Sequence, residues 1–255
     1  MSTPAPASLT ACLAQMDAHA QRRLLCEQPR VAAVWMRALA LEGLAVAQLN
    51  YGRMLLEGTG VAKDAVAALA WFERAARSGD ADAVNMVGRC HDNGWGTHED
   101  AAAAARAYRH AAESGHAWAQ YNLGHLYLEG RGVARDLLTA LGWYRRAADQ
   151  GHARAMNLVG RCLEQGWGAP RDFAQAASWY RRSAEGGYFR GQYNWASMLL
   201  RDGREEEAAA WFERAAIGGT DGVRRAIVDV ACTGAHPALQ HLAERLRLDA
   251  QAKAA

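Results

Sequence analysis

Cys90 and His91 stand side by side, and His98 follows seven residues after His91. Residues of these types hold zinc when four of them converge on one point. The spacing argues against that. The stretch Gly94-Trp95-Gly96 separates the two histidines, so they share no helix face, and the adjacent Cys90 and His91 point in different directions. His116 and His152 are thirty-six residues apart at matching places in a repeated pattern, too far to share an ion in a regular stack. Other chemistries also lack their residues. There is no G-x-S-x-G, no P-loop and no H-E-x-x-H, and the glycine pairs end helical stretches instead of opening them after a strand. The sequence therefore predicts no metal site, no cofactor and no catalysis of its own.

What remains is recognition. With 29 Lys and Arg against 27 Asp and Glu, the net charge of +2 provides no field to recruit nucleic acid. Five cysteines (Cys12, Cys26, Cys90, Cys162, Cys232) lie singly, with no C-x-x-C pair, a pattern that suits a reducing cytoplasm. The opening MSTPAPASLTACLAQMDAHAQRR has no basic n-region and is not read as a secretory signal. No run of eighteen apolar residues occurs, so no membrane span is expected. Alanine, leucine and arginine are abundant while β-branched residues are scarce, which favours helix.

The elements that would position a recognition surface announce themselves by repetition. Residues 85–96, NMVGRCHDNGWG, return as NLVGRCLEQGWG at 157–168. Glycines at 43, 79, 115, 151 and 187 are thirty-six residues apart, and Gly219 follows thirty-two later. Aligned on them, further columns appear: Gly52, Gly88, Gly124 and Gly160; the G-x-G turns at 58/60, 94/96, 130/132 and 166/168; Asp64, Asp100, Asp136 and Asp172; then an aromatic and an alanine pair. AWAQYNLGHLYLEG predicts a first helix near 117–129, and its mid-helix Gly124 needs a packing reason, a neighbouring backbone or ring where a β-carbon would clash. G-x-G ends that helix, and Asp136 starts a second, DLLTALGWYRRAADQ. Such a hairpin cannot bury its apolar side alone; stacked neighbours bury it. Cys90 and Cys162 read as small core residues, and Trp95 and Trp167 as packing over an adjoining helix pair more readily than over a ligand.

The columns A-x-A-x-x-x-L-G, G-x-G-V-x-x-D and W-Y-x-x-A-A-x-x-G resemble the Sel1-like repeat family, a longer relative of the tetratricopeptide repeat, with Gly115–Gln150 as the best copy. The resemblance implies an all-α, right-handed superhelical solenoid. Five repeats would occupy 43–78, 79–114, 115–150, 151–186 and 187–218. Helices near 8–25 and 30–42 would cap one end (1–42), and a degenerate repeat with a last helix from Pro237 would cap the other (219–255). The fifth repeat lacks G-x-G and carries Ala196 in the glycine column, so a tighter turn is predicted at Asp202-Gly203. Some cysteine-rich relatives were once regarded as handling β-lactams, but this chain lacks their paired cysteines and has no S-x-x-K.

In this family the first helices line the concave side, where partners lie. By that resemblance the inward columns are Arg53, Arg89, His125 and Arg161; Asn85, Asn122, Asn157 and Asn194 with Tyr121 and Tyr193; and Trp118, Arg154 and Arg190 against a lone Asp82. Amides can hold an extended backbone, guanidiniums can grip carboxylates, and rings add apolar area. The implied function is a cytoplasmic adaptor or scaffold binding a protein or acidic peptide segment. The rival is an accessory or regulatory subunit of an enzyme, iron- or oxygenase-related, or a small-ligand binder, which needs a closed pocket instead of an open groove. A second basic ladder, Arg74, Arg146, Arg182 and Arg214 with His110, reads as compensation of helix dipoles and as solubility.

Overall fold

The computed structural model describes residues 27–232 and 236–254, with side chains to 252. Among them are thirteen α-helices and no strand. In chain order these are α1 (Pro29–Leu41), α2 (Ala45–Glu57), α3 (Ala65–Ala76), α4 (Ala81–Asn93), α5 (Ala101–Glu113), α6 (Ala117–Glu129) and α7 (Leu137–Asp149). There follow α8 (Ala153–Gln165), α9 (Phe173–Glu185), α10 (Phe189–Arg201), α11 (Glu205–Gly218), α12 (Asp221–Ala231) and α13 (Pro237–Ala254). The helix predicted at 8–25 lies outside the described residues, as do Cys12 and Cys26. Among the described residues no helix is long and apolar enough to cross a membrane.

Packing divides the chain into two units. The first runs to Ala119 and takes in Gly130–Ala134; the second comprises Gln120–Glu129 and the chain from Arg135. Within each, the same construction recurs. In the first unit a β-carbon at Gly52 would stand 2.6 Å from the Phe72 ring, and one at Gly88 would stand 2.6 Å from Tyr108. In the second, Gly124 meets Tyr144 at 2.6 Å and Gly160 meets Tyr180 at 2.8 Å. The mid-helix glycine is the slot into which the second helix's buried ring drops. That close approach supplies its packing reason, and its helix penalty of about 1 kcal/mol is offset by burying a whole ring.

The turns do more than reverse the chain. The second glycine of each G-x-G has positive φ, and it also lies against the start of the previous repeat's second helix. A β-carbon on Gly96 would reach within 2.1 Å of the Ala65 carbonyl oxygen, and one on Gly132 within 2.2 Å of the Ala101 backbone. Gly168 faces the Leu137 carbonyl oxygen at 2.2 Å. Each such contact joins one repeat to its neighbour through backbone, where only glycine fits.

Asp64, Asp80, Asp100, Asp136 and Asp172 cap helices by accepting backbone N–H groups of the first turn. Those bonds hold the carboxyls of Asp100 and Asp172 below their ordinary range; at Asp136 the Thr139 hydroxyl is the leading cause. In the fifth repeat the chain turns at Asp202-Gly203, with Gly203 at φ +75°, and no G-x-G loop covers Phe173. Arg201 lies over that ring instead, 5.1 Å from its centre.

Candidate binding surface

In the first unit the inward cations are engaged within the chain. Arg53 approaches Asp82 at 3.8 Å, and the same carboxylate takes the Nε2 of His116 at 3.0 Å. His116 Nδ1 meanwhile accepts the Ala119 N–H, capping α6. Arg89 stacks over Trp95, 5.0 Å from the ring centre. Trp95 is half-buried and packs against the first unit's core, the packing role expected for it. Trp118 is 45% exposed. Asn85 differs from expectation: at 6% exposure it is a buried amide, set too deep to meet an extended peptide.

Within each unit an acid is paired with a buried phenol sixteen residues further on. The Tyr108 hydroxyl donates to Asp92 Oδ2 at 3.3 Å, and Asp92 also receives Arg131 from the next turn at 2.8 Å. In the second unit the Tyr180 hydroxyl donates to Glu164 Oε2 at 2.8 Å. Sixteen residues before Tyr144 stands Leu128, which cannot accept, and the fully buried Tyr144 hydroxyl has no hydrogen-bond partner. Where the ring is Phe72, the matching residue is Leu56. Asp92 and Glu164, three residues after Arg89 and Arg161, thus serve the interior rings.

The second unit assembles a different surface. The Tyr121 ring lies 4.7 Å from His125 and 5.0 Å from His152, centre to centre. Arg154 hydrogen-bonds the Tyr121 phenol and also stacks over Tyr188 at 5.6 Å. Tyr188 in turn packs on Phe189 at 5.1 Å, and Arg190 covers Phe189 at 5.8 Å. Burial, and then Tyr188, push ionisation of the Tyr121 phenol up, while Arg154 and Arg190 pull it down. Arg154 and Arg190 are exposed, and Tyr121, Asn122 and His125 are half-buried. The rest of the expected column is occupied elsewhere. Asn157 is 4% exposed and accepts from Asn194 at 2.8 Å, Tyr193 packs edge-on against the core ring Phe212, and Arg161 stacks over Trp167 at 5.3 Å. Tyr188 and Phe189 escaped sequence reasoning, although two aromatics directly after the marker glycine set this repeat apart.

The ladder on the second helices proves to be more than charge compensation. Arg74, Arg146, Arg182 and Arg214 lie over Trp71, Trp143, Trp179 and Trp211 at 4.1–4.6 Å, each arginine three residues after its ring. Among the described residues no cluster of three His, Cys, Asp or Glu is placed to hold a metal ion.

The Sel1 repeat profile matches residues 45–80, 81–116, 119–152, 153–188 and 189–219. The chain belongs to the Sel1-repeat family. Its all-α solenoid fold is shared with a protective antigen of uropathogenic Escherichia coli that displays an SLR fold (27% identity, TM-score 0.70, 88% of this chain and 49% of that one). It is also similar to a Sel1 repeat protein from Oxalobacter formigenes (28% identity, TM-score 0.70, 82% and 91% covered). An immunity protein from Pseudomonas aeruginosa, at 15% identity and TM-score 0.52, shares the fold. This chain spans about half the length of the Escherichia coli antigen. No curated protein matches it.

The two cysteines of the duplicated Sel1 stretches are interior residues. Cys90 and Cys162 are 0% and 1% exposed, and burial pushes both thiols up to about 11, whereas Cys232 is exposed. A thiol held protonated is a poor nucleophile. Iodoacetamide at pH 8 should therefore label Cys232 in the native chain and reach Cys90 and Cys162 only after denaturation; peptide mass spectrometry reads the difference.

Proposed function

We propose that this Sel1-repeat protein is a cytoplasmic, non-catalytic adaptor that holds an acidic segment of a partner protein against the exposed face of its first helices. The contact centres on Tyr121, Arg154, Tyr188, Phe189 and Arg190. Arg190 carries this reading: it stands exposed over Phe189, and among the described residues it makes no ion pair. At the same position in the first unit stand Val46 and Asp82, and Asp82 draws Arg53 toward it. A guanidinium laid flat on a ring keeps its N–H edge outward, ready for a carboxylate, and the neighbouring phenols supply apolar area with little rotamer entropy to lose.

The test is affinity capture from the native cell extract with the wild-type chain, with Arg154→Glu/Arg190→Glu, and with Arg182→Glu, which alters a second-helix stack. The expected result is that the double variant loses a partner retained by the wild type and by Arg182→Glu. If all three retain the same proteins, the patch does not bind.

A further inference from the structure

Beyond the last matched repeat, α12 and α13 leave an open groove of about 780 Å³ against the end of α11. A polar surface is what a solenoid needs past its repeats. Here the groove is lined by Val228 and Leu246, and Ile217 at its edge is 77% exposed, an apolar knob beside an apolar hollow. Exposed apolar area of this kind marks a site that something covers.

The charges around it indicate what. On α12 the residues facing the groove include Arg225 and Asp229, one turn apart, both exposed and, among the described residues, in no ion pair. In this order along a helix the two attract one another only weakly. Two neighbouring cations are paired within the chain, Arg224 with Asp221 at 3.2 Å and Arg245 with Glu213, while on α13 Arg247 donates to Cys232 Sγ and the exposed Asp249 is in no ion pair among the described residues. One unpaired positive and one unpaired negative group on a single helical face make a self-complementary pattern. A two-fold axis passing between them sets Arg225 of one copy against Asp229 of the other, and the reverse contact follows from symmetry.

We propose that the α12–α13 groove is the interface of a homodimer, with a second copy of this chain as its occupant and Arg225–Asp229 as the reciprocal ion pairs. This rests on the groove alone and is independent of the partner-binding patch.

Sedimentation velocity of the full chain over a concentration series tests it. The wild type is expected to dimerise. Arg225→Asp gives each copy two negative groups at the axis and Asp229→Arg gives two positive ones, so each variant alone should dimerise about tenfold or more weakly. Mixed in equal amounts, the two variants should form a heterodimer of near wild-type affinity, because each then presents the charge that the other lacks. Far-UV circular dichroism of both variants shows whether the fold is kept. A wild type that remains monomeric throughout, single variants that dimerise as well as the wild type, or folded variants that fail to pair on mixing would each overturn the proposal.

Discussion

Replacing Gly168 with alanine is expected to cost more than about 4 kcal/mol of stability. Two penalties coincide there. The residue has φ +74°, where an L-side chain is strained by about 1–3 kcal/mol, and its β-carbon would lie 2.2 Å from the Leu137 carbonyl oxygen. Neither backbone can rotate away as a side chain would, so the turn has to lift off the helix it rests on. Gly187→Ala is the control. Its φ of +80° imposes similar strain, but nothing lies within 4 Å of the added carbon. Urea unfolding followed by circular dichroism should show a small shift for Gly187→Ala and a large one for Gly168→Ala; equal shifts would mean that the contact with α7 contributes nothing.

The second large effect concerns the buried rings, and its sign depends on one oxygen. Tyr180→Ala empties the slot over Gly160 and should cost about 3–5 kcal/mol. Tyr180→Phe keeps the ring but leaves Glu164 without its donor, a loss of about 1 kcal/mol. Tyr144→Phe removes a fully buried hydroxyl with no partner and should leave stability unchanged or raise it by about 1 kcal/mol. The same deletion thus acts in opposite senses two helices apart. A loss at Tyr144 equal to that at Tyr180 would show that the Tyr144 hydroxyl is satisfied in solution.

The regular part of this architecture is legible in the sequence because its causes are local and repeated. The helix expected near 117–129 is α6, Ala117–Glu129, and Asp136 caps α7 by its side chain. Gly124 needed a ring beside it and has Tyr144. The fifth repeat turns where its missing G-x-G required, at Asp202-Gly203. The recognition face was less readable. Column position alone could not show that Asn85 and Asn157 sink into the stack while Arg154 and Arg190 stay out. Nor could it show that Arg89 and Arg161 turn onto Trp95 and Trp167, six residues further on, because that depends on how each loop folds back over its own helix. Arg131 meeting Asp92, thirty-nine residues away, is set by the seating of one repeat on the next.

The acid–phenol pairs constrain the order in which this chain can change. Asp92 with Tyr108 and Glu164 with Tyr180 are interlocked choices. Exchanging either acid for leucine first would strand a hydroxyl in the interior, whereas losing the hydroxyl first leaves a carboxylate that can still turn to solvent. Viable routes between the two kinds of repeat therefore pass through phenylalanine, as at Phe72, and Tyr144 above Leu128 sits on the costlier route.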